Sequence, residues 1–137
     1  MKTEEFRNMA LDESTWFIHW ELWQAAHEMG LERRQTTLGY SLDLTTREGD
    51  EITVFQGLVD GLRLPLRYMW PYGIPTSVTD QYRRGVAALM ALTDAEKEPS
   101  GKFPDDFDQR DAKALVKVLR RVVDRIGKTQ AVASVAT

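Results

Sequence analysis

The sequence contains no cysteine among its 137 residues. Because disulfide bonds, thiolate nucleophiles and cysteine-ligated zinc all need this residue, the three are excluded. Only two histidines are present, His19 and His27, and their spacing does not give the i, i+4 pair of a helical zinc site. The HExxH, GxSxG, glycine-rich phosphate-loop and EF-hand patterns are missing as well. We therefore expect no enzymatic activity, no cofactor and no bound metal.

Long apolar runs are also missing. No stretch approaches the 18 or so consecutive apolar residues of a membrane helix, and residues 1–31 lack the pattern of a secretory signal. We expect a protein that is neither membrane-bound nor secreted. With 42% hydrophobic and 28% charged residues, the composition suits one domain that buries its core without disulfides. We expect a single helical domain over residues 1–128 and a flexible or partner-ordered tail over residues 129–137.

Tryptophan is concentrated in one segment, which we interpret as a helix over residues 12–30. At helical spacing, Trp16, Trp20, Trp23 and His27 form one stripe. A second apolar stripe consists of Ile18, Leu22, Ala25 and Met29. Gly30 is suited to end the helix in the left-handed conformation. A helix that is apolar on most sides is expected to be buried on most sides, within its own domain or against other subunits.

Residues 50–66 have two interpretations, and the choice decides the fold class. As a strand, the segment forms a β-hairpin at about 38–56, with Leu44 opposite Ile52 and Leu42 opposite Val54, in an α+β fold. As a helix, its apolar residues gather on one side: Ile52, Phe55, Leu58, Val59, Leu62 and Leu66. We prefer the helix because the hairpin leaves several of these residues unexplained. Gly57 and Gly61 would then mark a close approach by another helix.

The predicted fold class is thus mainly α. The domain has four helices, over residues 12–30, 50–66, 77–93 and 106–127, and one extended segment over residues 37–45.

The connector over residues 64–75 holds three prolines and three aromatic residues, Tyr68, Trp70 and Tyr72. Prolines at this density exclude regular structure throughout. The aromatic side chains either pack into the core or form a docking surface for a partner.

The charge is unevenly distributed along the chain. The net charge is −3, yet residues 110–128 carry seven basic and two acidic residues, a local charge of +5, so the preceding residues sum to −8. The basic face of this last helix consists of Lys113, Lys117, Arg120, Arg121 and Lys128. It is either a solvated face, a surface for an acidic protein or a neighbouring copy, or a non-specific DNA contact, since no interleaved side chains suit base recognition.

The run ITVFQGLVDGLRLPLRYMWPYGIPTSVTDQYRRGVAALMAL, residues 52–92, resembles the C-terminal helix pair of the head-to-tail adaptor family of tailed phages. Trp20, followed by Gly30 and Leu31, is similar to the family's earlier helix. The resemblance covers about half of the chain. It implies several copies in a ring beneath the portal, no enzymatic activity, and a location in the virion or the bacterial cytoplasm. No site residue carries over from the family.

We therefore expect a non-enzymatic structural assembly protein, most concretely a head-tail connector adaptor that binds other copies of itself and the portal or other virion proteins. The residues expected to bind partners are Trp16, Trp20, Trp23, Tyr68, Trp70, Tyr72 and the basic face. One alternative is a small acidic inhibitory or immunity-type protein-binding module. A second is a weak, non-specific DNA-associated factor that uses the last helix.

Overall fold

The computed structural model describes residues 5–7, 13–46 and 48–129. Its strands are β1 Glu32–Gln35, β2 Gly39–Thr45, β3 Glu51–Leu58, β4 Gly61–Arg63 and β5 Ser100–Lys102. Its longer helices are α1 Glu13–Glu28, α3 Thr76–Ala87 and α4 Gln109–Thr129, with a short α2 at Leu66–Met69 and a 3-10 turn at Trp70–Tyr72. Residues 5–7 are also helical. The tail expected over residues 129–137 lies outside the described residues except for Thr129, which ends α4.

The five strands form one antiparallel sheet in which each strand pairs with the next along the chain. Side chains of a strand alternate between the two faces of the sheet. One face carries Tyr40, Leu42, Leu44, Ile52 and Phe55, all buried. The core lies between this face and the helices: α4 packs against both α1 and α3, and the Tyr82 hydroxyl of α3 donates to the Val54 carbonyl at 2.7 Å.

The opposite face of the sheet is polar. Strand register aligns one polar residue from every strand in a row: Arg34, Ser41, Gln56, Arg63 and Ser100. The next row contains Asp43, whose carboxylate accepts from the Thr53 hydroxyl at 2.9 Å and lies 3.2 Å from the Arg34 guanidinium. Ser41 and Asp43 are buried on this face as well.

The preference for a mainly α fold is wrong, because residues 50–66 form β3, β4 and a connecting turn. The predicted pairing of Leu44 with Ile52 is confirmed, but Leu42 lies opposite Phe55 instead of Val54. A register shift between Leu42 and Asp43 interrupts the strict alternation, so both Val54 and Phe55 are buried. This interruption gives the apolar residues a spacing that imitates a helix.

The glycines of this segment also have a different role from the predicted helix contact. Gly57 lies directly opposite Tyr40 in the sheet, and a Cβ added there would overlap the Tyr40 ring. Gly61 approaches the neighbouring β5 backbone in the same way. Both positions therefore need glycine, because the space of a side chain is occupied by a ring at Gly57 and by the backbone of the neighbouring strand at Gly61.

The remaining helix predictions are close to the structure. The helix predicted over 77–93 starts after Pro75 and ends earlier, at Ala87. The one predicted over 106–127 starts at Gln109, where Asp108 and Asp111 each accept the other's backbone N–H at 3.0–3.1 Å. At the end of α1, Gly30 has a φ of 78°, and the Gly30 and Leu31 N–H groups donate to His27 and Ala26 carbonyls. This bonding is the Schellman motif, which confirms the predicted end of the helix.

Candidate functional site

The three tryptophans of α1 lie side by side but differ in exposure. Trp23 is 9% exposed, Trp16 is half-buried, and Trp20 is 46% exposed. The ring centroids of Trp16 and Trp20 are 6.1 Å apart, and those of Trp16 and Trp23 are 5.1 Å apart with the rings nearly perpendicular. The second apolar stripe faces the core, and Trp23 is the one tryptophan of α1 that is buried with it. The indoles therefore run from the core boundary out to the surface.

A buried aromatic cluster beneath α1 fixes this arrangement. His19 contacts Phe6 and Tyr40, with ring centroids 4.8 and 5.4 Å away, and Tyr40 contacts Trp23 at 5.4 Å. His19 Nε2 lies 3.3 Å from the Val59 carbonyl, and Nδ1 lies 2.7 Å from the Tyr40 hydroxyl. Because a carbonyl only accepts, Nε2 carries the proton and the Tyr40 hydroxyl donates to Nδ1.

Both polar groups of the cluster are held in their neutral forms. Burial lowers the pKa of His19 from 6.5 to about 4, although hydrogen bonds with Val59 and Leu58 and the charge of Asp60 oppose this shift. Burial raises the pKa of Tyr40 well above its usual value, opposed by the Trp23 indole and by Arg33. His19 and Tyr40 are thus occupied in fixing the packing of α1, and neither faces solvent.

An open groove of about 550 Å³ lies on the outer side of α1 and ends at β1. The residues that line it are Trp20, Trp23, Gln24, Ala26, His27, Glu28, Leu31 and Arg33. The Arg33 guanidinium lies 3.9 Å from the centroid of the Trp23 ring, in a cation–π contact. Flat indole walls with a charged rim suit a side chain of a protein partner. We call this feature the tryptophan groove.

The connector aromatics are separate from the tryptophan groove, since none of them lines it. Trp70 is half-buried and donates from its indole to the Thr79 hydroxyl at 3.0 Å, so it ties the connector to α3. Tyr68 and Tyr72 are 42% and 37% exposed. Arg67 donates to the Tyr68 hydroxyl at 2.6 Å and pairs with Glu98 at 3.3 Å.

The basic face of α4 is exposed. Arg120 lies 3.7 Å from the Glu28 carboxylate of α1, which links the two helices at the surface. Within the described part of the chain, no acidic group pairs with Lys113, Lys117, Arg121 or Lys128. The predicted binding residues thus lie in three places: Trp20 and Trp23 line the tryptophan groove with Trp16 beside them, the connector holds a second group, and α4 holds the third.

Residues 5–7, 13–46 and 48–129 contain no group of three or more histidine, aspartate or glutamate side chains able to hold a metal ion. None of the described helices combines the length and the apolar character that a membrane span requires. Asp43, a buried carboxylate, is engaged by Arg34 and Thr53.

The sequence pattern did not indicate four residues that shape the site. Arg33, Phe6 and Tyr40 come from segments that were not expected to meet α1. Arg7 is another, since its guanidinium lies 5.4 Å from the Trp16 ring centroid. A basic residue shortly before and shortly after a tryptophan-rich helix is the only sequence signal for such pairs, and it is a weak one.

Comparison with known proteins gave no match to a family model, to a curated protein or to a solved structure. The resemblance to the head-to-tail adaptor family depended on a helix pair over residues 52–92, and the first of those helices is replaced by β3 and β4.

Proposed function

We propose that this protein is a non-enzymatic binding module that holds a protein partner in the tryptophan groove. The observation that carries the proposal is the exposure of Trp20 at the edge of the groove. Covering the exposed part of an indole of this size would contribute about 3 kcal/mol to association. Aromatic residues that are rigid and partly exposed are the usual anchors of protein interfaces.

The state of the buried polar groups supports a binding role over a catalytic one. An active-site acid or base needs a substrate within hydrogen-bond reach. His19 is 0% exposed and bonded at both ring nitrogens, and Asp43 is bonded within the sheet. Neither group faces the groove, whose polar residues lie at its exposed rim.

An assembly role, including the adaptor ring, is one form of this proposal in which the partner is another copy or a virion protein. An inhibitory or immunity-type module is another, in which the partner is a single enzyme. Light scattering at high concentration distinguishes the two, because a ring requires a multiple of the 15.7 kDa chain mass. A strictly monomeric chain would contradict the ring.

Site-specific crosslinking tests the proposal. A photoreactive amino acid at Gln24, an exposed residue lining the groove, should capture a partner in extracts of the source cells, and Trp20→Ala should abolish the capture. The matched control is Tyr72→Ala, which removes an exposed aromatic residue from the connector and should leave the capture unchanged. Capture that is equal with and without Trp20 would refute the proposal.

The unpaired cations of α4 favour a second candidate, non-specific binding to nucleic acid. Lys113, Lys117, Arg121 and Lys128 could neutralise phosphates in a strongly salt-dependent way. Reversal of Lys117, Arg120 and Arg121 to glutamate should then abolish a mobility shift at low salt. The absence of any shift for the unmodified protein at low salt would end this candidate.

A further inference from the structure

The three indoles of α1 differ in what covers their faces. The Arg7 guanidinium lies over Trp16 at 5.4 Å, and the Arg33 guanidinium lies over Trp23 at 3.9 Å. These arginines come from segments on opposite sides of α1 in the sequence. Among the described residues, no cation lies over Trp20, which is also the most exposed of the three. Two of the three tryptophans of α1 thus pair with an arginine of the described chain, and Trp20 does not.

We infer that the exposed face of Trp20 binds an arginine side chain of a basic partner protein, an inference that rests on the proposed binding function. Tryptophan is the best side chain for cation–π contacts, and the planar guanidinium is the cation that stacks on it most often. The chain already makes two such pairs on the same helix. A partner's arginine at Trp20 repeats a contact for which this surface is built.

Charge complementarity favours the same occupant. Residues 1–109, which include the whole tryptophan groove, carry a net charge of −8, so their field attracts a basic surface. Glu28, which lies 3.7 Å from Arg120, also lines the groove, and its exposed carboxylate keeps further acceptor sites for a bound guanidinium.

Two short peptides test the inference on the full chain. The probe is an acetylated, amidated hexa-arginine peptide, and its control is the citrulline peptide, which has the same shape without the charge. The arginine peptide should shift the indole N–H resonance of Trp20 in NMR spectra and leave that of Trp70, on the connector, unchanged. The citrulline peptide should shift neither resonance.

Substitution separates a cation–π contact from general attraction by the acidic chain. Trp20→Leu keeps an apolar side chain and the net charge, and it should raise the dissociation constant of the arginine peptide about threefold to fivefold. Tyr72→Leu, at another exposed aromatic residue, should not change it. Equal affinity of the unmodified protein and Trp20→Leu would overturn the inference, as would an equal Trp20 shift with the citrulline peptide.

The outcomes also distinguish this inference from the proposed function. In one case, Trp20→Ala abolishes partner capture at Gln24, but peptide binding does not depend on Trp20. This result overturns the arginine site and leaves the proposed binding function standing. A Trp20-dependent peptide shift without any Trp20-dependent partner supports the arginine site and refutes the proposed function.

Discussion

Acidification should destabilise this fold through one histidine. His19 is completely buried, and its pKa is lowered from 6.5 to about 4 chiefly by burial. Between these two pH values the unfolded chain binds a proton at His19 and the folded chain does not. The free energy of unfolding therefore falls as the pH decreases from 6.5 to 4. At about 1.4 kcal/mol per pH unit, the full loss from this group is about 3 kcal/mol.

Urea denaturation at a series of pH values measures this loss, with tryptophan fluorescence as the signal. Carboxylates contribute in more acidic solution: hydrogen bonding to the Asp111 backbone lowers the pKa of Asp108, so its contribution is lost below about pH 4. The range from pH 6.5 to 4.5 therefore avoids the contribution of Asp108. His27→Gln, at the exposed histidine of the same helix, should preserve the decline.

His19→Gln should remove most of the decline in this range, whatever the variant's stability at pH 7. The NMR signals of the His19 ring provide an independent measurement, since they should keep the pattern of the neutral Nε2–H form down to about pH 5. The reasoning would be refuted if His19 titrated near pH 6.5 in the folded protein. It would also be refuted if the decline in the free energy of unfolding persisted in His19→Gln.

Two further substitutions test the packing, each by urea denaturation. Gly57→Ala should lower the free energy of unfolding by about 3 kcal/mol or more, because its Cβ would overlap the buried Tyr40 ring. Gly49→Ala is its control: nothing lies near the added Cβ, so only the positive φ of 89° is strained, and the loss should be about 1 kcal/mol. Similar losses for the two would contradict the packing argument. Tyr82→Phe should cost about 1–2 kcal/mol by leaving the Val54 carbonyl without its donor, and an unchanged stability would show that this bond contributes nothing.

The helical parts of the fold were largely predictable because their signals are local. The last helix was predicted over residues 106–127 and starts at Gln109, and Gly30 ends α1 as predicted, because both ends depend on residues within a few positions. Residues 50–66 were wrongly predicted to be a helix, because their apolar residues follow a helical spacing although they belong to strands. The register shift opposite Leu42 places neighbouring residues on the buried side, and periodicity cannot reveal a shift that depends on the partner strand.

The tryptophans of the candidate site were predictable, but the exposure of each one was not. Two apolar stripes were predicted on α1, and their pattern did not determine how deeply each tryptophan is buried. The orientation of α1 relative to the core is fixed by groups distant in sequence, because Tyr40 and the Val59 carbonyl bind the two ring nitrogens of His19. A local pattern carries no information about these partners, nor about the arginines that cover Trp16 and Trp23.

The hydrogen bonds of His19 also explain why Trp20 is exposed. Successive residues of a helix point about 100° apart. Ile18, on one side of His19, is buried, so the core lies towards Ile18, and Trp20, on the other side of His19, points away from it. Trp20 could become buried only by a rotation of α1 that breaks the bonds to Tyr40 and Val59. The hydrogen bonds that hold His19 in the core therefore also help to keep an indole at the surface. An exposed tryptophan held in this way is a permanent feature of the folded chain, as a preformed binding surface requires.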